Sequence, residues 1–405
     1  MIEVEQAKRL LLEEAHVLDS VELGLDAALK RVLAEDVIAD RDFPPTDRSA
    51  MDGFAARWED LVEPGRSFEI HGEARAGRPV DHLRVGPGQC VRIMTGAIVP
   101  PGADTVVMVE LSTEDRDAGR VTFAGEPVRR QHIRARGEDL RSGERVLQRG
   151  APIHAPEIAA LAAVGRTTVR VVRPPVVGIV STGDEVVDAG SLPEPHQVRN
   201  SNARCLGAQL REIGLEGRDL GIAPDTAPEL RRTLRRGLDF DVLLITGGVS
   251  MGEYDVVEKV LLAEGLRTLF HNVAIRPGKP ILAGRVASCL VVGLPGNPVS
   301  TFTDFAVFVA PALRKMMGYP RWENLEVQAE LVARLKRKPG RTTYHLARVS
   351  RDQGGFKALP VRTMGSGDVL SMSRANAFVV TPGEAHALDA GATVRAELWT
   401  DFHLR

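Results

Sequence analysis

The sequence predicts a multidomain α/β chain in four parts: a helical N-terminal domain, a β-rich inserted domain, a central mixed-sheet α/β domain and a C-terminal β-barrel-like domain. Three observations predict it. The 405 residues exceed what one core holds, at roughly 100–200 residues per domain. Between residues 174 and 319, short apolar runs alternate with helical segments, the pattern of a sheet covered on both faces. On both sides of that stretch, strand-like runs broken by Gly and Pro replace the alternation.

Taken in order, residues 1 to 40 read as helical. Ile2, Ala7, Leu10, Leu11 and Ala15 lie near helical spacing, and Leu25, Ala28 and Val32 lead into VLAEDVIAD. From Pro44 to about Asp139, the runs FEIHG, QCVRIM, TVVMVE and RVTFAG read as strands. Helix signals return at 140–172, where HAPEIAALAAVG ends on a Gly suited to a C-cap. The expected boundaries are therefore a discontinuous N-terminal domain (1–45 and 140–172) around an insertion (46–139).

The central domain, 173–320, begins with VVGIVS, a helix near Asn202 to Ile213, RDLGIA, a helix from Thr226, DVLLIT and a helix from Asp255. PILAGRV and SCLVVGL are too close for a helical crossover and predict an antiparallel hairpin. LPGNPVS then opens a helix to Met317. In 321–405, LEVQAELVARL, TYHLARVS, FKALPVR, AFVVTP and ATVRAEL read as the strands of a compact β domain.

Composition narrows the function classes. Lys+Arg 52 against Asp+Glu 54 leaves a net charge of -2, which provides no footprint for nucleic-acid phosphates, so an anionic ligand needs a local site. No stretch approaches the ~20 apolar residues that span a bilayer. Cys90, Cys205 and Cys289 are far apart and form no CxxC pair, and the acidic start MIEVEQAKRLLLEEA lacks a signal-peptide pattern. Both point to a reducing, cytoplasmic compartment, with neither membrane nor nucleic acid as partner.

Ligands of open α/β sheets bind at the carboxyl ends of strands, so the loops there are the candidates. STGDEV places Thr182, Gly183 and Glu185 directly after a strand; an ordinary polar turn is the plainer reading. TGGVSMGEYD frees the backbone at Gly247 and Gly248 and leads through Ser250 to Asp255, where a helix N-terminus suits phosphate. Asp255 with Glu258 also fits a helix cap. In LPGNPVS, Pro295 and Pro298 stiffen the loop around Asn297, as a Pro-initiated helix also would. IRPGKP carries Arg276 and Lys279, a guanidinium and an ammonium suited to a tetrahedral oxyanion. Asp225 ends RDLGIAPD, beside a capping-box pair Thr226 and Glu229. Carboxylates sharing a crevice with phosphate oxygens require a hard cation such as Mg2+ between them.

A rival lies in GVSMG, which matches the GxSxG nucleophile elbow between a strand and a helix. That reading makes Ser250 the nucleophile of a serine hydrolase, with Asp304 or Asp368 and His345 or His386 downstream. Against it, Gly247 and Gly248 separate the serine from the strand, and the histidines fall in the β domain. GxGxxG, GxxxxGK[ST] and HExxH are absent.

The motifs DRSAMDGFA (47–55), RIMTGAIVPPGADTVVMVE (92–110), RARGEDL (134–140), STGDEV, TGGVSMGEYD, RPGKP, LPGNPVS and GSGDVLSMSRAN (365–376) resemble those of the MoeA proteins and the matching domain of gephyrin, in the same order and over most of the chain. The resemblance implies a molybdopterin-binding central domain in an elongated homodimer, with the inserted domain of one subunit facing the central domain of the other. It implies a molybdopterin molybdenumtransferase that takes adenylylated molybdopterin and molybdate, uses Mg2+ or a related cation, and releases AMP. Its partners would be a molybdopterin adenylyltransferase and apo-molybdoenzymes. A non-catalytic molybdopterin-binding relative is the alternative within the same resemblance.

By the same resemblance, Glu185, Asp225 and Asp255 hold the metal and phosphate, and Arg276, Lys279 and Ser366 of the GSG loop hold the oxyanion. Asp52 in SAMDG, Thr95 in MTG and Asp139 in GED match active-site positions; turn and capping roles are the plain alternatives. Two departures stand out: Arg276 occupies a position that is commonly lysine, and the arginine pattern is altered in GRTTYHLAR, which leaves Arg341 and Arg348 without an assigned role.

Overall fold

A computed structural model describes residues 1–63, 65–248, 256–336, 339–384 and 387–399, in two compact units. One comprises Met1–Glu35, Gly150–Ala155 and Thr168–Arg405; the other comprises Asp36–Arg149 and Pro156–Thr167.

The first unit opens with helix α1 (Val4–Glu14), which buries Val4, Ala7 and Leu11 at helical spacing. Its main sheet contains β1 (Val177–Thr182), β2 (Gly217–Ala223), β3 (Val242–Thr246), β4 (Arg267–His271), β5 (Leu282–Val286) and β6 (Cys289–Leu294), in the order β2-β1-β3-β6-β5-β4. Strands β2, β1, β3 and β6 run parallel, while β5 and β4 add antiparallel pairs, β5 with β6 being the expected hairpin. Every residue of β1, β3 and β6 is buried, as strands covered on both faces must be.

Alternate side chains enter opposite cores. Val177, Ile179, Val242 and Leu244 join one, together with α1 and Leu206 and Leu210 of helix α2 (Ser201–Glu212). Val180, Leu243 and Ile245 join the other, with Leu230 and Leu234 of α3 (Ala227–Leu238) and Val257, Val260 and Leu261 of α4 (Val256–Ala263). Helix α5 (Pro298–Asp304) continues through a π-helical turn, Phe305–Val309, into α6 (Ala310–Met316), nearly all of it buried.

Beyond it, β7 (Leu325–Leu331), β8 (Thr342–Asp352), β9 (Gly355–Pro360), β10 (Ala377–Thr381) and β11 (Thr393–Leu398) pair in the cycle β8-β9-β7-β11-β10-β8, a closed five-stranded barrel. Small residues such as Ala329, Ala347, Ala358, Ala377 and Ala396 fill its interior. Its outward Tyr344, Leu346, Phe378 and Val380 join the core that contains α1 and α2. The short strand Ile275–Arg276 pairs in parallel with the start of β8, which carries the RPGKP loop against the barrel.

The helical reading of residues 1–40 holds for α1 but not for Ser20–Gly24. That segment is a strand paired antiparallel with Thr168–Val172, its side chains alternating between exposed and half-buried. The helical spacing of Leu25 and Ala28 is met by a single-turn helix, Leu25–Ala28, that follows the strand.

In the second unit the four expected strand runs are strands. They belong to a six-stranded sheet in the order Thr105–Met108, Gly53–Ala56, Gln89–Ile93, Ser67–Ala74, Arg120–Phe123, Ser112–Asp115. Gly53 is required there, because a Cβ would lie 2.0 Å from the Val107 carbonyl oxygen.

Candidate active site

Strand order reverses around β1, with β2 on one side and β3 on the other, and β1, β3 and β6 end together. A crevice of about 590 Å³ opens at those ends, the place where open α/β sheets bind ligands. Thr182 and Glu185 line it from β1, Gly247 from β3, and Pro295, Asn297 and Pro298 from the loop after β6. Gly247 and Gly248 have φ of 95° and 63°; a Cβ on Gly247 would sit 2.5 Å from the Thr182 carbonyl oxygen, and one on Gly248 2.8 Å from Thr182 Oγ1. The glycines let β1 and β3 end in close contact. Gly183, at φ 132°, makes the matching turn under the Glu185 carboxylate. Thr182 Oγ1 is buried and has no hydrogen-bond partner among the described residues.

Asn202 braces the crevice floor. Its Nδ2 donates to Thr246 Oγ1 at 2.8 Å and to the Gly296 carbonyl at 2.7 Å, tying α2 to the ends of β3 and β6. Asn200 caps α2 by accepting from Ala203 N at 3.2 Å, and accepts from Ser181 Oγ at 3.1 Å. Neither asparagine is among the site residues expected from sequence, although RNSN before an apolar-periodic segment is a helix-start signal.

The loops after β1 and β2 form an acidic cluster. The Asp225 amide donates 3.1 Å to Asp184 Oδ1, and burial followed by repulsion from Asp184 and Glu185 raises the Asp225 carboxyl above the usual carboxylate range. The expected capping box is not formed: Thr226 makes no side-chain cap bond, and Glu229 pairs with Arg232. Asp255 and Ser250, the other expected residues of this region, lie outside the described residues.

A second cavity, of about 730 Å³, lies between the RPGKP loop and the barrel and shares Pro280, Pro295 and Asn297 with the crevice. Arg276, Lys279 and Ser366 all line it, and Arg341, Lys336 and His345 from the barrel side join them; no Asp or Glu is among the described lining residues. The Ser366 carbonyl accepts from Val299 N at 3.0 Å, which holds the GSG loop on α5. Behind the RPGKP loop stands Asp304, wholly buried, with neither carboxyl oxygen hydrogen-bonded among the described residues. Burial pushes its carboxyl well above the ordinary range. Gly278, at φ 108°, passes so close that a Cβ would lie 2.0 Å from Asp304 Oδ1.

Among the described residues Asp304 accepts no hydrogen bond from a histidine, and His345 contacts Thr381 Oγ1 at 3.2 Å. Asp368 accepts from Met364 N at 3.1 Å in its own turn. Of the hydrolase candidates, Ser250 and His386 lie outside the described residues.

In the second unit, Asp52 Oδ1 accepts from Thr95 N at 2.6 Å and from Thr95 Oγ1 at 2.7 Å, which brings SAMDG and MTG together. These bonds hold the Asp52 carboxyl below its ordinary range. Asp139 is clamped by Arg134.

A sheet crevice of this form, ending in glycine turns and acids, defines a ligand-binding α/β protein, and residues 178–315 match the family described as "Probable molybdopterin binding domain". The flanking residues 2–165 match "MoeA N-terminal region (domain I and II)" and 328–399 match "MoeA C-terminal region (domain IV)". The chain is 34% identical over 401 residues to the molybdopterin molybdenumtransferase of Haemophilus influenzae, covering 98% of each, and 35% identical to that of Bacillus subtilis, covering 93% of this chain and 89% of that protein. Its fold matches the crystal structure of the molybdopterin biosynthesis MoeA protein of Pyrococcus horikoshii with a TM-score of 0.82 and 28% identity, over 99% of this chain and 100% of that one. The chain belongs to the molybdopterin molybdenumtransferase (MoeA) family.

Proposed function

We propose that the protein inserts molybdenum from molybdate into adenylylated molybdopterin, with release of AMP, in molybdenum cofactor biosynthesis. The observation that carries this is the shared wall between the two cavities. A strand-end crevice with glycine turns and acids adjoins, across Pro280, Pro295 and Asn297, a cavity lined by cations. One ligand can place its phosphates at the strand ends and its reacting end toward the cavity, where Arg276, Lys279 and Ser366 receive a tetrahedral oxyanion.

Carboxylate oxygens are the donors that a divalent cation such as Mg2+ selects. Burial, and then the charges of Asp184 and Glu185, raise the Asp225 carboxyl, although among the described residues no three such side chains form a metal-holding group. Glu185 and Asp225, with Asp255, would hold the cation; when bound it neutralises charge on the phosphate under attack. Asp52, Thr95 and Asp139 of the second unit are further residues proposed to serve the reaction. A homodimer, a molybdopterin adenylyltransferase and apo-molybdoenzymes are the proposed partners. Cytoplasmic placement is supported by three free cysteines, and no described helix is long and apolar enough to cross a membrane.

The test is AMP release from adenylylated molybdopterin and Mg2+, with and without molybdate, followed by transfer of the product to an apo-molybdoenzyme. Molybdate-dependent release with reactivation is the expected outcome. Tight pterin binding with neither would replace the transferase with a binding or storage protein.

A further inference from the structure

One wall of the cationic cavity covers a group that can become charged. Gly278 lines the cavity and also touches the Asp304 carboxyl, leaving no room for a Cβ between them. Asp304 ends α5, whose residues from Val299 onward are buried, and Thr301 Oγ1 ties that helix to the carbonyls of Pro295 and, at 3.2 Å, Asn297. The RPGKP loop above the carboxyl is held less firmly. Its Lys279 carbonyl accepts from Val273 N at 3.1 Å and Ile281 N at 3.0 Å. The amides of Gly278 and Lys279 donate to no described residue, and the Lys279 side chain is exposed.

A buried carboxylate needs hydrogen-bond donors or water, and neither Asp304 oxygen has a donor among the described residues. Charged neighbours do not replace them. The loop carries Arg276 and Lys279, and Tyr344 and His345 of β8 stand across the cavity. Of the elements packed on α5, α2 carries Arg204, Cys205, Arg211 and Glu212, and β6 carries Cys289. None of these acts on the Asp304 carboxyl, for which burial is the one cause of its raised pKa. Ionisation of Asp304 and the present position of Gly278 therefore exclude each other.

We propose that the RPGKP loop is a proton-linked gate, which closes over Asp304 only while that carboxyl carries its proton and lifts as the proton passes to solvent. The loop yields because its tip lacks the anchors that α5 has. Lifting moves Arg276 and Lys279, which flank Gly278 in the chain, so the cavity is remodelled as pH rises. That consequence for catalysis rests on the transferase reading; the gate itself does not.

The test is hydrogen exchange in the full chain from pH 4.5 to 7.5, corrected for the intrinsic rate and read at the Val273 and Ile281 amides, whose acceptor the loop supplies. In the lifted state the carboxyl returns to its ordinary value of 3.8, so closure is favoured fully below that pH and loses about tenfold per unit above it. Protection of the two amides in the wild type is expected to fall by that factor, while the amides of β3 stay protected. Asp304→Asn removes the slope. Gly278→Ala, whose methyl cannot share the space with the carboxyl, gives low protection at every pH. A slope that persists in Asp304→Asn, wild-type protection in Gly278→Ala, or a loss shared equally by β3 overturns the gate. A wild type that shows the slope but releases no AMP keeps the gate and removes the transferase reading.

Discussion

Replacing Asp304 by Asn isolates the cost of a buried carboxyl behind the RPGKP loop. The side chain is fully buried, neither oxygen has a partner among the described residues, and burial alone raises its carboxyl well above the unfolded value of 3.8. An Asp raised in this way stabilises the fold fully only below pH 3.8. Its contribution declines as pH rises towards the folded pKa, because the unfolded chain releases the proton and the folded one retains it. Asn has the same shape and does not titrate. The stability of Asp304→Asn relative to wild type therefore grows by about 1.4 kcal/mol for each pH unit above 3.8, for as long as the folded carboxyl stays protonated. Unmatched amide hydrogens add a constant offset, so the slope is the quantity to read. Urea unfolding of both proteins from pH 4.5 to 7.5, in half-unit steps, measures it. A pH-independent difference would show that Asp304 is ionised in the fold and held by a cation or water, and would refute the reasoning.

Other outcomes are accessible to the same protein. Glu185→Gln loses AMP release while keeping its circular dichroism spectrum; global unfolding instead would make Glu185 structural. Gly247→Ala places a methyl 2.5 Å from the Thr182 carbonyl at φ 95°, and should cost about 1–3 kcal/mol in denaturant unfolding and weaken pterin binding; wild-type values for both would mean the two strand ends can separate freely. Asp241 receives both Nη atoms of Arg173 at 2.7 Å and Val176 N at 2.8 Å, and these bonds lower its carboxyl against the burial that opposes them. Asp241→Asn should destabilise by about 1–3 kcal/mol at neutral pH, an effect that vanishes as acid protonates the wild-type carboxylate below its depressed pKa; a penalty that persists in acid would exclude the ion pair as its source.

Local pattern alone carried much of the architecture. Each of the strands β7 to β11 lies in a strand-like run bounded by turn residues, the hairpin of β5 and β6 follows from a connection too short for a helix, and the glycines after β3 announce a close approach. The loop motifs also offered Thr182, Glu185, Gly247, Pro295, Arg276 and Lys279 as candidates beside plainer turn and cap readings, and the family resemblance added Ser366. What required the tertiary structure was adjacency between segments distant in sequence. Ser20–Gly24 becomes a strand only because Thr168–Val172 lies beside it, and periodicity cannot see a partner almost 150 residues away. Asn202 becomes part of the crevice when α2 meets the ends of β3 and β6. Arg341 reads as one more charge in a barrel strand until the Ile275–Arg276 pairing brings it to Arg276, and Asp304 as a helical polar residue until α5 turns it beneath Gly278. Backbone and hydrophobic patterns are local energies written along the chain, whereas a binding site is a sum over groups that only the packed fold brings within reach of one another.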